Sequence, residues 1–373
     1  MPDYSNRPYH EQVDIQNTIK LRQLIRELPP FVSQFFRGIE QTTSSRTRIA
    51  YAYDLRVFFH YLTDEAAMLK KEDLRLLQPQ FLETLKAKDI EAYMEYLKYY
   101  HKDDEDRLNQ TRGIMRKVSS LKAFYNYFYH REEITYNPAA LVELPKVHEK
   151  PIIRLDADEV ARLLDHVEAG DHLTRHQAAF HEKTRTRDLA LLTLMLGTGI
   201  RVSECVGIDL KDVDFRDDAL RIHRKGGKEV ILYFGDEVED ALLDYMDERK
   251  YITACEGHED ALFLSLQRKR MSVRSVEKLV KKYTQAVTSL KHITPHKLRS
   301  TYGTQLYQET GDIYLVADVL GHSDVNTTRK HYAAIEDQKR RQARNMVRLR
   351  REESGSGAAG TKEVKDIKGT IHE

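Results

Sequence analysis

A chain of 373 residues with 40% hydrophobic content is long enough for two domains, each with a core of its own. Its 60 Lys/Arg against 59 Asp/Glu exclude any partner argument from net charge, so the distribution of charge has to carry it. Two cysteines, Cys205 and Cys255, exclude a disulfide framework and read as reduced thiols in a cytoplasmic protein, while the polar start and the lack of an apolar run near 18 residues argue against a leader or membrane span.

Residues 1–28 are polar and read as an arm or short helix. A helical block follows over 29–145. In TTSSRTRIAYAYDLRVFFHYL, Ile49, Tyr53, Val57 and Tyr61 recur at steps of four, with Ser44 or Ser45 as N-cap. KAKDIEAYMEYLKYY repeats the pattern. NQTRGIMRKVSSLKAFYNYFYHREE repeats it again, with Ile114, Val118, Leu121, Phe124, Tyr125 and Phe128 on one stripe. Between Asp106 and Glu132 the chain has no acidic residue but carries Arg107, Arg112, Arg116, Lys117, Lys122 and Arg131. A solvated helix face accounts for one such run; a helix facing nucleic-acid phosphates is the functional reading.

NPAALVELPKVHEKPIIRL holds three prolines and reads as a linker, placing a domain boundary at 146–152. LDADEVARLLDHV then starts a helix. His172, His176 and His181 follow in a polar insertion; with no cysteine or acidic cluster beside them they read as solvated rather than as metal ligands. RDLALLTLMLGTG is a buried helix stopped by Gly197 and Gly199, and Arg201 emerges directly after the turn, with Glu204 three residues on to hold its guanidinium. ALRIHRKGGKEVILYF reads as a β-hairpin turning at Gly226-Gly227, and DEVEDALLDYMDER and SVRSVEKLVKKYTQAV as amphipathic helices.

From Ser265 to Ser300 ten cations, among them Arg268, Lys269, Arg270 and Arg274, face only Glu277. Two cationic segments in a neutral chain, one per domain, suggest a clamp around a polyanion. In ITPHKLRS, Thr294 is an N-cap, Pro295 takes the first helical position, and His296 and Arg299 share a face. In GDIYLVADVLGHSD, Asp312 caps a short helix, Gly321 ends it and His322 sits just past the stop; Asn326 caps a further helix that presents Tyr332. A basic helix over 336–352 and a small, polar, disordered tail over 353–373 complete the chain.

GTGIRVSE, the K-GG-K hairpin, TPHKLR, LGH and a tyrosine ten residues after that histidine together resemble the tyrosine recombinases, the family typified by phage lambda integrase. The likeness spans roughly residues 40–335 and is nearest to Xer-type recombinases, especially the single-protein systems of Gram-positive bacteria. It implies a mainly α protein with a small β-sheet in the catalytic domain: a two-domain C-shaped clamp, with a helical core-DNA-binding domain (29–145) and a catalytic domain (153–335). By resemblance the catalytic residues are Arg201, Lys225, His296, Arg299, His322 and the nucleophile Tyr332, with Glu204 in support. Two positions depart from the family's usual pattern: Ser300 stands where a second histidine is common, and RKHYAAI replaces the frequent YTH ending.

The implied activity is site-specific cleavage and rejoining of double-stranded DNA through a 3′-phosphotyrosine and a Holliday junction. No cofactor, ATP or metal is expected. The expected assembly is a homotetramer on two DNA sites, with an accessory protein as a further partner and a nucleoid-associated cytoplasmic location. The expected DNA contacts are Arg112, Arg116, Lys117, Lys122, Arg268, Lys269, Arg270 and Arg274. Chromosome-dimer resolution is the expected role. The alternatives are a mobile-element integrase, a type IB topoisomerase-like enzyme and a non-catalytic DNA-binding protein.

Overall fold

The computed structural model describes residues 7–70, 74–102, 105–146, 153–224, 228–288, 290–322 and 325. The chain divides into two compact units, Met1–Gly303 and Thr304–Glu373. Among the described residues helices dominate, as the sequence pattern predicts.

In the first unit, α1 (Tyr9–Ile25), α2 (Val32–Gly38), α3 (Ser45–His60), α4 (Ala87–Tyr96), α5 (Thr111–His130) and the short α6 (Pro138–Leu141) surround one apolar cluster drawn from Leu21 to Val142. Phe31, Phe35, Phe59, Phe124 and Phe128 meet edge-to-face at its centre, the arrangement that ring quadrupoles favour. Ser44 caps α3 by accepting from the Thr47 amide. All six residues of the α5 stripe are buried. The expected α3 stripe is met only in part: Tyr61 is buried, Ile49 and Val57 are partly buried and Tyr53 is exposed, while Ala52, Leu55, Phe58 and Phe59 form the main packed face. Steps of four overshoot a 3.6-residue turn by about 40° each, so a run of them rotates off the packed face. An antiparallel hairpin, β1 (Tyr99–Lys102) and β2 (Glu105–Leu108), joins α4 to α5 and was not anticipated.

Beyond the proline-rich stretch, Asp156 and Glu159 form a reciprocal capping box for α7 (Ala157–Ala169). α8 (Arg175–His181) carries the histidine-rich segment, but His181 is buried and its Nε2 lies 2.8 Å from the Val167 carbonyl, not in solvent. Among the described residues no cluster of three or more His, Cys, Asp or Glu could hold a metal ion. α9 (Arg185–Thr198) is buried along nearly all its length and ends at Gly199, left-handed with φ +63°. Gly197 does not stop the helix. It lies inside α9, where an added Cβ would stand 2.5 Å from Val238 Cγ2 on α11 (Asp236–Arg249), so its role is close helix–helix approach.

The hairpin forms as predicted, β4 (Ala219–His223) pairing antiparallel with β5 (Glu229–Tyr233), and β3 (Val213–Asp214) adds a third strand. α12 (Val273–Val287) and α13 (Pro295–Thr310) follow. In the second unit, Asp312 caps α14 (Ile313–Leu320) by accepting from the Tyr314 and Leu315 amides, and Gly321 ends it at φ +60°. Lys225, the Gly226-Gly227 turn, Asn326, Tyr332, the 336–352 helix and the 353–373 tail lie outside the described residues. No described helix is long and apolar enough to cross a membrane.

Candidate active site

Two arginines are delivered to one place by different elements. The αL turn at Gly199 reverses the chain after α9 and leaves Arg201 at the start of α10 (Val202–Cys205). Glu204, almost wholly buried, accepts from the Arg201 backbone N–H at 3.0 Å and from its Nη1 at 2.8 Å. One carboxylate thus caps the helix and orients the guanidinium, as the i, i+3 spacing predicts.

Arg299 comes from α13, a hundred residues later, and is 5% exposed. Its Nη1 donates to the Gly199 carbonyl at 2.6 Å, two residues before Arg201. The C-terminal end of α9 presents that carbonyl to a cation, which suits the helix dipole. α13 begins at Pro295, with the Thr294 carbonyl accepting from the Lys297 and Leu298 amides. Thr301 on the same helix accepts from the Leu155 amide at 3.0 Å and fixes α13 against the chain leading into α7. His296 is exposed one turn before Arg299. In the second unit, the His322 amide donates to the Ala317 carbonyl at 2.8 Å, so the turn after α14 sets its backbone.

The other end of α9 is anchored as firmly. Buried Asp188 accepts from Arg187 Nη2 at 2.5 Å, Thr184 Oγ1 at 3.1 Å and the Tyr283 hydroxyl of α12 at 3.0 Å, with Lys282 Nζ 3.8 Å away. Burial, then the Asp188 charge, pushes the Tyr283 hydroxyl far above its ordinary value, so it stays a donor. Sequence reasoning missed this network. The only sign of it was an aspartate inside an otherwise apolar helix.

Of the eight cations expected to meet DNA, five are exposed: Arg112, Arg268, Lys269, Arg274, which lies 3.2 Å from Glu277, and Arg116, half of whose side chain meets solvent. Arg116 and the remaining three make internal bonds. Arg116 grips buried Asp54 with both terminal nitrogens, at 2.5 and 2.7 Å. Lys117 lies 3.7 Å from the same carboxylate, and burial holds its ammonium below the ordinary lysine value. Lys122 donates to the Val142 carbonyl at 2.5 Å. Arg270 donates to the Val206 and Ile208 carbonyls at 3.1 and 3.0 Å and pairs with Asp209. The reason is common to all four: a buried carboxylate or carbonyl without a donor costs free energy, and these side chains supply it.

The phage integrase family matches residues 153–339, a span that holds every motif above. A tyrosine recombinase XerC from Caldanaerobacter subterraneus subsp. tengcongensis is 33% identical over 352 residues, covering 90% of this chain and 92% of its own length. A tyrosine recombinase XerS from Streptococcus agalactiae is 29% identical over 346 residues, covering 86% and 96%. Among solved structures, the XerH site-specific recombinase bound to palindromic difH substrate in a post-cleavage complex shares the fold with a TM-score of 0.62 at 17% identity, over 88% of this chain and 89% of that one.

The chain belongs to the phage integrase family. Within it, the chain is an Xer-like, site-specific tyrosine recombinase.

Proposed function

We propose that this recombinase breaks and rejoins double-stranded DNA through a 3′-phosphotyrosine on Tyr332, passes through a Holliday junction and resolves chromosome dimers. One observation carries the chemistry: Glu204 and the Gly199 carbonyl hold Arg201 and Arg299 at the same turn. Two guanidiniums fixed at one turn suit a single scissile phosphate, whose non-bridging oxygens gain charge during transfer. Each charge-assisted hydrogen bond contributes about 1.5–3 kcal/mol.

In this reading His322 donates a further bond to the phosphate and His296 assists proton removal from the Tyr332 phenol, whose ordinary pKa is about 10. Lys225, at the tip of the β4–β5 hairpin, protonates the departing 5′-oxygen. The covalent intermediate conserves the bond energy, so rejoining requires no ATP. We divide the chain at 146–152 into a core-binding and a catalytic domain. Arg112, Arg268, Lys269 and Arg274, being exposed, contact the DNA backbone. The assembly is a homotetramer on two sites, aided by an accessory protein and working on nucleoid DNA in the cytoplasm. The 33% and 29% identity to recombinases named XerC and XerS, over most of the chain, supports the Xer-like reading.

The test is trapping on a nicked suicide duplex. The wild-type chain forms a covalent adduct, and Tyr332→Phe binds the same DNA with unchanged affinity and forms none. Substantial cleavage by Tyr332→Phe places the nucleophile elsewhere.

A further inference from the structure

α1 is anchored at both ends. At its C-terminal end Leu21 and Leu24 are buried in the helical cluster, and midway Asp14 accepts from Ser45 Oγ at 2.7 Å while Asn17 donates to that oxygen at 3.0 Å. At its N-terminal end the helix meets the segments that carry the site. The Tyr9 ring lies 4.6 Å from the Arg270 guanidinium carbon, within cation–π range. The same ring packs at Gly207, where an added Cβ would stand 3.4 Å from Tyr9 Cδ1. His10 stacks on His223, ring centroids 4.6 Å apart and planes at 28°.

These contacts touch the machinery without joining it. Arg270 is the donor to Val206, Ile208 and Asp209, the residues that continue α10 beyond Arg201 and Glu204. Tyr9 covers the open face of that guanidinium. His223 is the last residue of β4, two before Lys225. One rigid helix, rising about 1.5 Å per residue, therefore links the helical cluster to both the Arg201 segment and the strand leading to the hairpin lysine.

We propose that Tyr9 and His10 are positioning residues for the cleavage step. Tyr9 holds the Arg201 segment in register through Arg270, and His10 sets the base of the Lys225 hairpin through His223. Neither needs to touch DNA. The proposal rests on the recombinase chemistry above and adds the part of the chain that tunes its rate.

The experiment uses the full-length chain and a nicked suicide duplex. It compares wild type with Tyr9→Ala, Tyr9→Phe and His10→Ala. Three quantities are read: the single-turnover rate of adduct formation, DNA affinity by fluorescence anisotropy, and Tm. Tyr9→Ala slows adduct formation about three- to tenfold with affinity and Tm unchanged, since remote misplacement of a phosphate-binding group acts on the rate. Tyr9→Phe keeps the ring and the wild-type rate.

His10, an exposed residue, supplies an independent arm should Tyr9→Ala lower the Tm. His10→Ala slows cleavage of ordinary DNA and recovers on a 5′-bridging phosphorothioate, whose thiolate leaving group needs no proton from Lys225. Wild-type rates for both alanine variants overturn the proposal. So does a rate loss matched by an equal loss of affinity, or faster cleavage by Tyr9→Ala, which would make the arm a brake. A wild-type chain that forms no adduct overturns the recombinase chemistry itself, a different result from a normal wild type with a normal Tyr9→Ala.

Discussion

Glu204 is the residue on which the candidate site's local order turns. It satisfies a backbone amide and a guanidinium at once, from a nearly solvent-free position. Glu204→Ala removes both bonds, and the loss of the one that orients the Arg201 guanidinium should lower the adduct-forming rate about 10- to 100-fold, the span of a single charge-assisted hydrogen bond. Suicide-substrate kinetics read this directly. Glu204→Gln keeps an acceptor of the same shape and should lose less. This pair was legible in the sequence because i, i+3 spacing on a helix fixes who meets whom. The bond from Arg299 to the Gly199 carbonyl was not, because its partners lie 100 residues apart and one of them is a backbone oxygen. Asp54 was hidden for a similar reason. Nothing local tells a solvated aspartate from one buried against Arg116, Lys117 and Ser120.

At the scale of elements, the helices that could be read were those whose apolar residues keep a 3.6-residue period over several turns. α5 is the example, with six predicted core residues all buried. α3 was recognised as a helix but its face was misjudged by a fraction of a turn. The β1–β2 hairpin could not be read, because YYHK and EDRL show no apolar alternation and the two residues between them, Asp103 and Asp104, include none of the glycines that mark a primed turn. The α9–α11 contact gives a sharper test of packing. Gly197→Ala drives a methyl into Val238 and should cost about 1–3 kcal/mol in urea denaturation, with Val238→Ala in the same chain restoring part of the loss. The α7–α12 contact gives a pH dependence. His166 is 6% exposed, its ring facing Tyr283, and among the described residues no hydrogen-bond partner meets either ring nitrogen. Burial first, then neighbouring His172, holds it below the ordinary imidazole value. The unfolded chain therefore binds more protons than the folded one as the solution turns acidic. His166's contribution is complete above about pH 6.5 and is lost as pH falls through the lowered folded value. The Tm should drop across that window, and His166→Phe should flatten part of the drop; His258, lowered for the same reason, contributes a further part.

At the scale of the whole molecule, family and activity were legible because the chemistry uses a few side chains at fixed offsets from turns, and those turns are written in glycine, proline and cap residues. The division of cationic labour was not legible. A run of lysines and arginines looks the same whether it meets DNA or the protein's own carboxylates. The proposed chemistry draws its positive charge from arginines. Purified protein should therefore yield recombinant product from a DNA carrying two sites, and from none carrying one, with no loss in EDTA. Gel analysis of deproteinised product checks both, and loss of product in EDTA would assign a divalent ion an essential part.

The tether between Asp54 and Arg116 also matters to anyone retargeting this enzyme. A mutant library that randomises α5 for new sequence preferences will waste its diversity at Arg116 and Lys117, because most replacements strand a carboxylate in the interior and select for folding instead of recognition. Variation at Arg112, Arg268, Lys269 and Arg274 leaves that interior intact, because these side chains are exposed, and spends the screen on the surface proposed to face the target.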